Sequence, residues 1–474
     1  STRVQIRPEN ITPSAEEEYN ITRMTNTRTQ DLTTGPILPL LIRFTIPLVL
    51  GNLLELTYNA VDSMIIGRFV GTNALAAVGT SNPLMTLILL FNNGICLGAG
   101  ILISYEYGAK HLDTLKRQAS SGFVAGAVFS ILCALVFIVL AAPILRLLQV
   151  DDEILSDSVL YLRMVMIGMV FSYIYNYLAS LLRAMGDSRS PLYFLAISAS
   201  LNIVGDLFFV AVLDMGIFGA ALSTILCEGI SALLCWIYTQ KKIPILRLGR
   251  QWLTVDTKQL KRILSFGIVS ALQQSAVQIG KIATQAMVNR LGIAATASFN
   301  ATNRLDDYAI VPEQNMAHGT TSILAQNVGA KKNDRVVKTF RLSLLIQIIY
   351  GIAIGVLTWF TARPFVRLFS NDPEVIELGV SYIRTMSWFY TLPAVTNSLQ
   401  GYFRGIGDLK ITLACSLINI ITRVIACAVL LEYMHMDFGA LPIAYAIGWL
   451  AMLVVEIPWV HRFMRSTQNL FEEH

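Results

Sequence analysis

The sequence predicts an all-α polytopic membrane protein, with twelve transmembrane helices arranged as two parallel six-helix repeats. Three observations predict it. Hydrophobic residues make up 54% of the 474 positions and charged residues only 14%, with a mean hydropathy of +0.58. Soluble domains carry about 25% charged residues, so a surface this poor in charge has to meet lipid. Uncharged runs extend over 28 residues at 118–145 and 21 at 342–362, and about 20 apolar residues in a helix cross the hydrocarbon core. Finally, the two halves repeat at a constant offset of 221 residues. YGAK at 107–110 pairs with VGAK at 328–331, Arg183 with Arg404, Gly186 with Gly407, Asp187 with Asp408, and Gly71 with Gly292.

Residues 1–34 are polar and lack the apolar stretch of a signal peptide. They are expected to form a disordered cytoplasmic tail, with sequons at Asn10 and Asn20. Apolar runs between turn and charge signals place spans at 37–68, 74–102, 117–145, 156–182, 190–212 and 216–239. The second set lies at 259–289, 294–326, 336–362, 376–402, 411–432 and 438–463. The chain thus divides into an N-terminal lobe (35–239), a cytoplasmic linker (240–258), a C-terminal lobe (259–463) and a cytoplasmic tail (464–474). Loops on the side of the termini hold nineteen Lys and Arg, including Lys110, Lys241, Lys331 and Lys332; the opposite loops hold five. Cytoplasmic loops are the basic ones, so both termini are expected in the cytoplasm. The net charge of +5 is then a topology signal and does not call for nucleic acid. Six helices per repeat give both halves the same orientation, a build of transporters that bind near the midplane and rock one half against the other.

Carboxylates at membrane depth are costly and usually functional. Asp206 lies seven residues before Leu213, about 10 Å from that helix end at 1.5 Å per residue, too deep for so short a side chain to reach water. Asn202 shares its face one turn away. Glu55 and Asp62 share a face of the first span, and Thr224 and Glu228 a face of the sixth. Asn176 adds an amide on the fourth. Carboxylate, amide and hydroxyl oxygens suit a hard cation such as Na⁺, and a desolvated carboxylate can carry a proton instead. Buried inter-helix hydrogen bonding is the plainer alternative for these polar groups, and Pro47 is either a plain kink or a moving part. The ungapped partners of Asp62 and Asp206 are Ala283 and Cys427. The second half instead carries Lys281, Asp306, Asp307 and Glu313, read as a salt bridge from Lys281 to one of the three acids or as substrate contacts.

No H-E-x-x-H, Walker or G-x-S-x-G motif occurs, and the six cysteines lack metal spacing. Neither enzyme chemistry nor direct use of ATP is expected, which leaves an ion gradient as the energy source.

The stretch TIPLVLGNLLELTYNAVDSMIIG, the YGAK and VGAK loops, LLRAMGD and LNIVGD together resemble the multidrug and toxic compound extrusion (MATE) transporters, in particular their prokaryotic DinF-like branch. The resemblance covers roughly 35–463. It implies a central cavity between the lobes, a multi-pass protein of the prokaryotic inner membrane, and export of organic, often cationic compounds in exchange for H⁺ or Na⁺. It also implies that the coupling residues fall on Asp62, Asn202, Asp206, Thr224 and Asn176, with Asp62, Asn202, Asp206 and Thr224 as the Na⁺ donors and Pro47 as the bending proline. Tyr105 departs from the family's usual Gln, which Gln326 keeps in the second half. The expected mechanism is alternating access by a monomer with a small organic substrate, a monovalent cation and the bilayer as partners and no cofactor. A lipid-linked oligosaccharide flippase of the same superfamily is the alternative within transport. A membrane-embedded enzyme is the alternative outside it.

Overall fold

The computed structural model describes residues 30–247, 254–434 and 436–472; the sequons at Asn10 and Asn20 lie outside them. The first lobe runs α1 (Ile37–Ile65), α2 (Thr72–Gly108), α3 (Leu112–Leu147), α4 (Asp152–Ala184), α5 (Arg189–Asp206) and α6 (Gly216–Lys242). The second runs α7 (Thr257–Asn289), α8 (Ile293–Gly329), α9 (Asn333–Arg367), α10 (Pro373–Ser387), α11 (Thr391–Gly405), α12 (Leu409–Ala428) and α13 (Leu441–Glu472). These helices supply the twelve spans, because α10 and α11 share one. Pro393 has no N–H to offer the Phe389 carbonyl four residues back. Leu392 N takes that carbonyl at 2.8 Å instead, and the helix breaks at 388–390. The expected continuous span at 376–402 is therefore two helices.

Among the described residues, ten spans are long and apolar enough to cross a membrane on composition alone. The remaining two are α8, which carries Arg304, Asp306, Asp307 and Glu313, and the broken α10–α11 pair. The repeat extends to the backbone. Left-handed φ angles recur at the 221-residue offset, with Gly71 at 115° and Gly292 at 105°, Lys110 at 61° and Lys331 at 57°, and Gly186 at 88° and Gly407 at 85°.

The lobes meet in the half of the molecule nearest the termini. Gly94 and Gly98 on α2 pack against the Gly267 backbone of α7, and Gly319 on α8 packs against Thr45 and Leu48 on α1. Asn52 Nδ2 donates to Asn315 Oδ1 across the same seam at 2.7 Å. Deepest of all, a side chain at Gly108 would collide with the Gln326 carbonyl, and one at Gly329 with the Tyr105 carbonyl. On the opposite half, helices present exposed polar residues: Thr57, Asn59 and Ser63 on α1, Lys281 on α7, and Asn300 and Arg304 on α8. Polar groups at this depth face water or partners, not lipid, so the lobes enclose a cleft open away from the termini.

Three expected boundaries change. Part of the tail is packed: Leu32 is fully buried, its N–H donates to Gln326 Oε1 at 3.1 Å, and its carbonyl accepts from Asn327 Nδ2 at 3.2 Å. Lys332 and Arg335 hold the carbonyls of Thr33, Thr34 and Gly35, so 30–35 is a strap and not a disordered tail. The linker is shorter than 240–258, because α6 continues to Lys242 and α7 starts at Thr257. The tail expected from 464 continues α13 to Glu472.

Candidate functional site

Asp62 and Asp206 are brought together from α1 and α5, close enough for the two carboxyls to interact directly. Each stands just ahead of a π-helical turn, Ile66–Val70 after Asp62 and Leu207–Val212 after Asp206. A π-turn widens the ladder and frequently marks functional positions. Asp206 is fully buried and Asn202 nearly so. Asn202 Nδ2 reaches Asp206 Oδ1 at 3.4 Å and Ser223 Oγ at 3.3 Å, and Ser223 Oγ donates to the Asn202 carbonyl at 3.1 Å. Asp62 Oδ1 and Asp206 Oδ2 are buried without a hydrogen-bond partner. Two adjoining carboxyls, each with an open buried oxygen, invite a proton or a cation.

Thr224 stands next to this group, but its hydroxyl donates to the Ala220 carbonyl of its own helix at 3.1 Å. Ser223 makes the inter-helix contact instead. The sequence offered both hydroxyls in GAALST and gave no rule for which faces α5. Asn176 lies one turn beyond Ser172 on α4, and Ser172 Oγ donates to Glu228 Oε1 at 2.5 Å. Asn176 thus shares a face with the Glu228 partner. Glu228 Oε2 is buried and unpaired, and Glu55, exposed to the cleft, lies within electrostatic range of it. Tyr161 on α4 stands within range of Asp62, Asp206 and Glu228; nothing in the sequence pattern marked it. Pro47 lies inside α1, where it leaves the Arg43 carbonyl without its usual donor.

In the second lobe, Lys281 Nζ meets Asp307 Oδ1 at 3.1 Å, with side chains 51% and 41% exposed. Of the three acids considered for Lys281, Asp307 is the one that pairs. Asp306 instead accepts from Tyr382 at 2.9 Å and Tyr390 at 2.6 Å. Both oxygens of Glu313 are buried and unpaired. Arg384 lies over the Trp359 ring at 5.6 Å and Arg423 over Tyr445 at 4.6 Å. The basic residues a pyrophosphate groove would need are therefore spread over separate contacts. A polar chain links Ser416, Gln273, Gln400 and Glu456. Among the described residues no group of three or more His, Cys, Asp or Glu is placed to hold a metal ion.

A duplicated helical bundle, closed at one end and open at the other over intramembrane carboxylates, defines a membrane transporter. The comparisons specify which. The MatE family model matches residues 47–208 and 270–429, one match in each lobe. The probable multidrug resistance protein YpnP of Bacillus subtilis is 30% identical over 393 residues, spanning 82% of this chain and 87% of that protein. YoeA of the same organism, also described as a probable multidrug resistance protein, is 28% identical over 358 residues, 74% of this chain and 77% of its own. A solved structure described as the outward-facing conformation of a multidrug resistance MATE family transporter of the MOP superfamily superimposes with a TM-score of 0.88 at 21% identity, over 94% of this chain and 99% of that one. The chain belongs to the MatE family, whose members are transporters and not enzymes.

Proposed function

We propose that the chain exports organic, often cationic compounds from the cell by alternating access, in exchange for Na⁺ or H⁺ bound at Asp62 and Asp206. The observation that carries this reading is the meeting of the Asp62 and Asp206 carboxyls beneath the open cleft, each with one buried oxygen, Asp62 Oδ1 and Asp206 Oδ2, left without a partner. Asn202 adds an amide and Ser223 a hydroxyl within reach of Asp206. Na⁺ takes such oxygens readily, and protonation relieves the same repulsion. The basic loops favour cytoplasmic termini, in a prokaryotic inner membrane. The seam near the termini is then the cytoplasmic gate, and the cleft faces outward.

In the proposed cycle the cation enters from outside and neutralises the carboxyl pair. The π-turns that follow α1 and α5 and the turn at Pro47 take up the change, and substrate leaves outward. The emptied anionic pair favours closure on the outside. The second lobe's Lys281–Asp307 pair lines the cleft and contributes to substrate selection. The test is efflux from proteoliposomes with sodium and proton gradients imposed separately. Asp62→Asn and Asp206→Asn are each expected to reduce gradient-driven efflux to the background of empty vesicles. Efflux undiminished in both variants would remove the coupling role.

A further inference from the structure

We infer that the groove between α9 and α10 binds the headgroup of a phospholipid carrying a phosphate and a free ammonium, in the leaflet on the side away from the termini. The groove is open, about 440 Å³, and is lined by Trp359 on α9 and by Glu377, Ser381, Arg384 and Trp388 along α10 and its end. It faces lipid and not the cleft, because Val356 and Phe360 beside it belong to the apolar outer stripe of α9 and are 55% and 76% exposed. Its depth follows from helix length. The 35 residues of α9 span about 52 Å against a hydrocarbon core of about 30 Å. Trp359 lies nine residues from the middle of α9, about 14 Å along the axis, which is the edge of that core. Arg384 sits over the Trp359 ring at 5.6 Å, and Trp388 meets the same ring edge-on at 5.7 Å. The guanidinium is thus held where phosphates begin, in a pair of tryptophans typical of that level.

Among the described residues Arg384 has no hydrogen-bond or ion-pair partner. Charges at membrane depth normally have one, so here it comes from the bilayer. A guanidinium fork suits phosphate oxygens. The second pole is Glu377, which gives one oxygen to Arg363 at 2.6 Å and keeps the other free. Glu377, Ser381 and Arg384 share the exposed face of α10, with Glu377 nearer the outer end. The Arg384 side chain leans back toward the start of its helix, which brings the two charges closer. A phospholipid presents its phosphate next to the glycerol and its ammonium farther out, the same order as Arg384 and Glu377. A primary ammonium can donate to the free Glu377 oxygen, and a trimethylated one cannot. The fold itself does not require the site. At the 221-residue offset Arg384 corresponds to Arg163, Trp359 to Ile138 and Glu377 to Ser156. Arg163 donates its Nε to the Ile138 carbonyl at 2.8 Å, so the first lobe satisfies internally the arginine that the second leaves open.

The test uses purified full-length protein in phosphatidylcholine nanodiscs. The probe is a trace of phosphatidylethanolamine with a diazirine at the start of one acyl chain. The expected result is labelling within 356–360 and 384–388, competed by unlabelled phosphatidylethanolamine. Phosphatidylglycerol, which has the phosphate without the ammonium, should compete about tenfold less well, the scale of one lost charge-assisted contact. Inorganic phosphate should not compete. Arg384→Gln should weaken labelling about tenfold, and Glu377→Gln should abolish the preference for ethanolamine over glycerol. Arg163→Gln, the same change in the first lobe, should leave labelling unchanged. Equal competition by phosphatidylglycerol, competition by inorganic phosphate, labelling indifferent to Arg384→Gln, or an equal loss in Arg163→Gln would overturn the inference.

Discussion

At the scale of single residues, the site rests on oxygen atoms that other groups decline to satisfy. Asn202 Nδ2 donates one N–H to Asp206 Oδ1 at 3.4 Å and the other to Ser223 Oγ at 3.3 Å, which leaves Asp206 Oδ2 without a partner. Ser223→Ala removes one of these partners. A hydrogen bond contributes about 0.5–1.5 kcal/mol, so the half-saturating cation concentration for efflux should change by roughly 2- to 10-fold, read from efflux against imposed cation concentration. Thr224→Ala should move it less, since that hydroxyl is donated to its own helix. The Lys281–Asp307 pair predicts a different pattern. Both side chains are about half exposed, and such pairs contribute only about 0–1 kcal/mol. Lys281→Ala should therefore leave the melting temperature nearly unchanged while altering which compounds compete for efflux. The sequence identified Asp62 and Asp206 because a carboxylate amid two dozen apolar residues has few innocent explanations. It missed Ser223 and Tyr161 because their roles depend on how neighbouring helices are rotated, which no local pattern records.

At the scale of elements, helix identity was legible and helix interruption was not. The apolar runs gave the spans, since length and composition decide what crosses a bilayer. The break at 388–390 follows from one missing N–H at Pro393, yet Pro47 sits inside an unbroken α1, so the residue alone does not fix the outcome. The polar composition of 30–35 predicts disorder and hides the strap. Its order comes from partners some 300 residues away, Gln326, Asn327, Lys332 and Arg335. That strap spans both lobes, as the Gln30 backbone packs on Gly186 while Leu32 is held by α8. Leu32→Asp places an unpaired charge in a fully buried position. It should release the segment, seen as faster amide exchange across 30–36, and should raise the population open on the side of the termini. Pro47→Ala restores a backbone bond in α1; it should leave folding intact and slow efflux.

At the scale of the whole molecule, two equivalent lobes have taken unequal chemistry. The first keeps its carboxyl pair below the cleft. The second keeps the π-turn at Val429–Tyr433 but has Cys427 in place of the acid, so the backbone turn is kept where the carboxylate is not. The lobes close on the crossing of Gly108 and Gly329. Replacing either glycine with Leu drives a side chain into the opposite backbone, and the double variant should shift spin-label distances across that face toward separation. The crossing has a further consequence. Tyr105 covers Gly329 and Gln326 covers Gly108, so pseudo-symmetry yields the same contact twice about one point. Neither half of it can loosen while the other stays seated. Opening on the side of the termini has to part both contacts together, so this face should open as one unit.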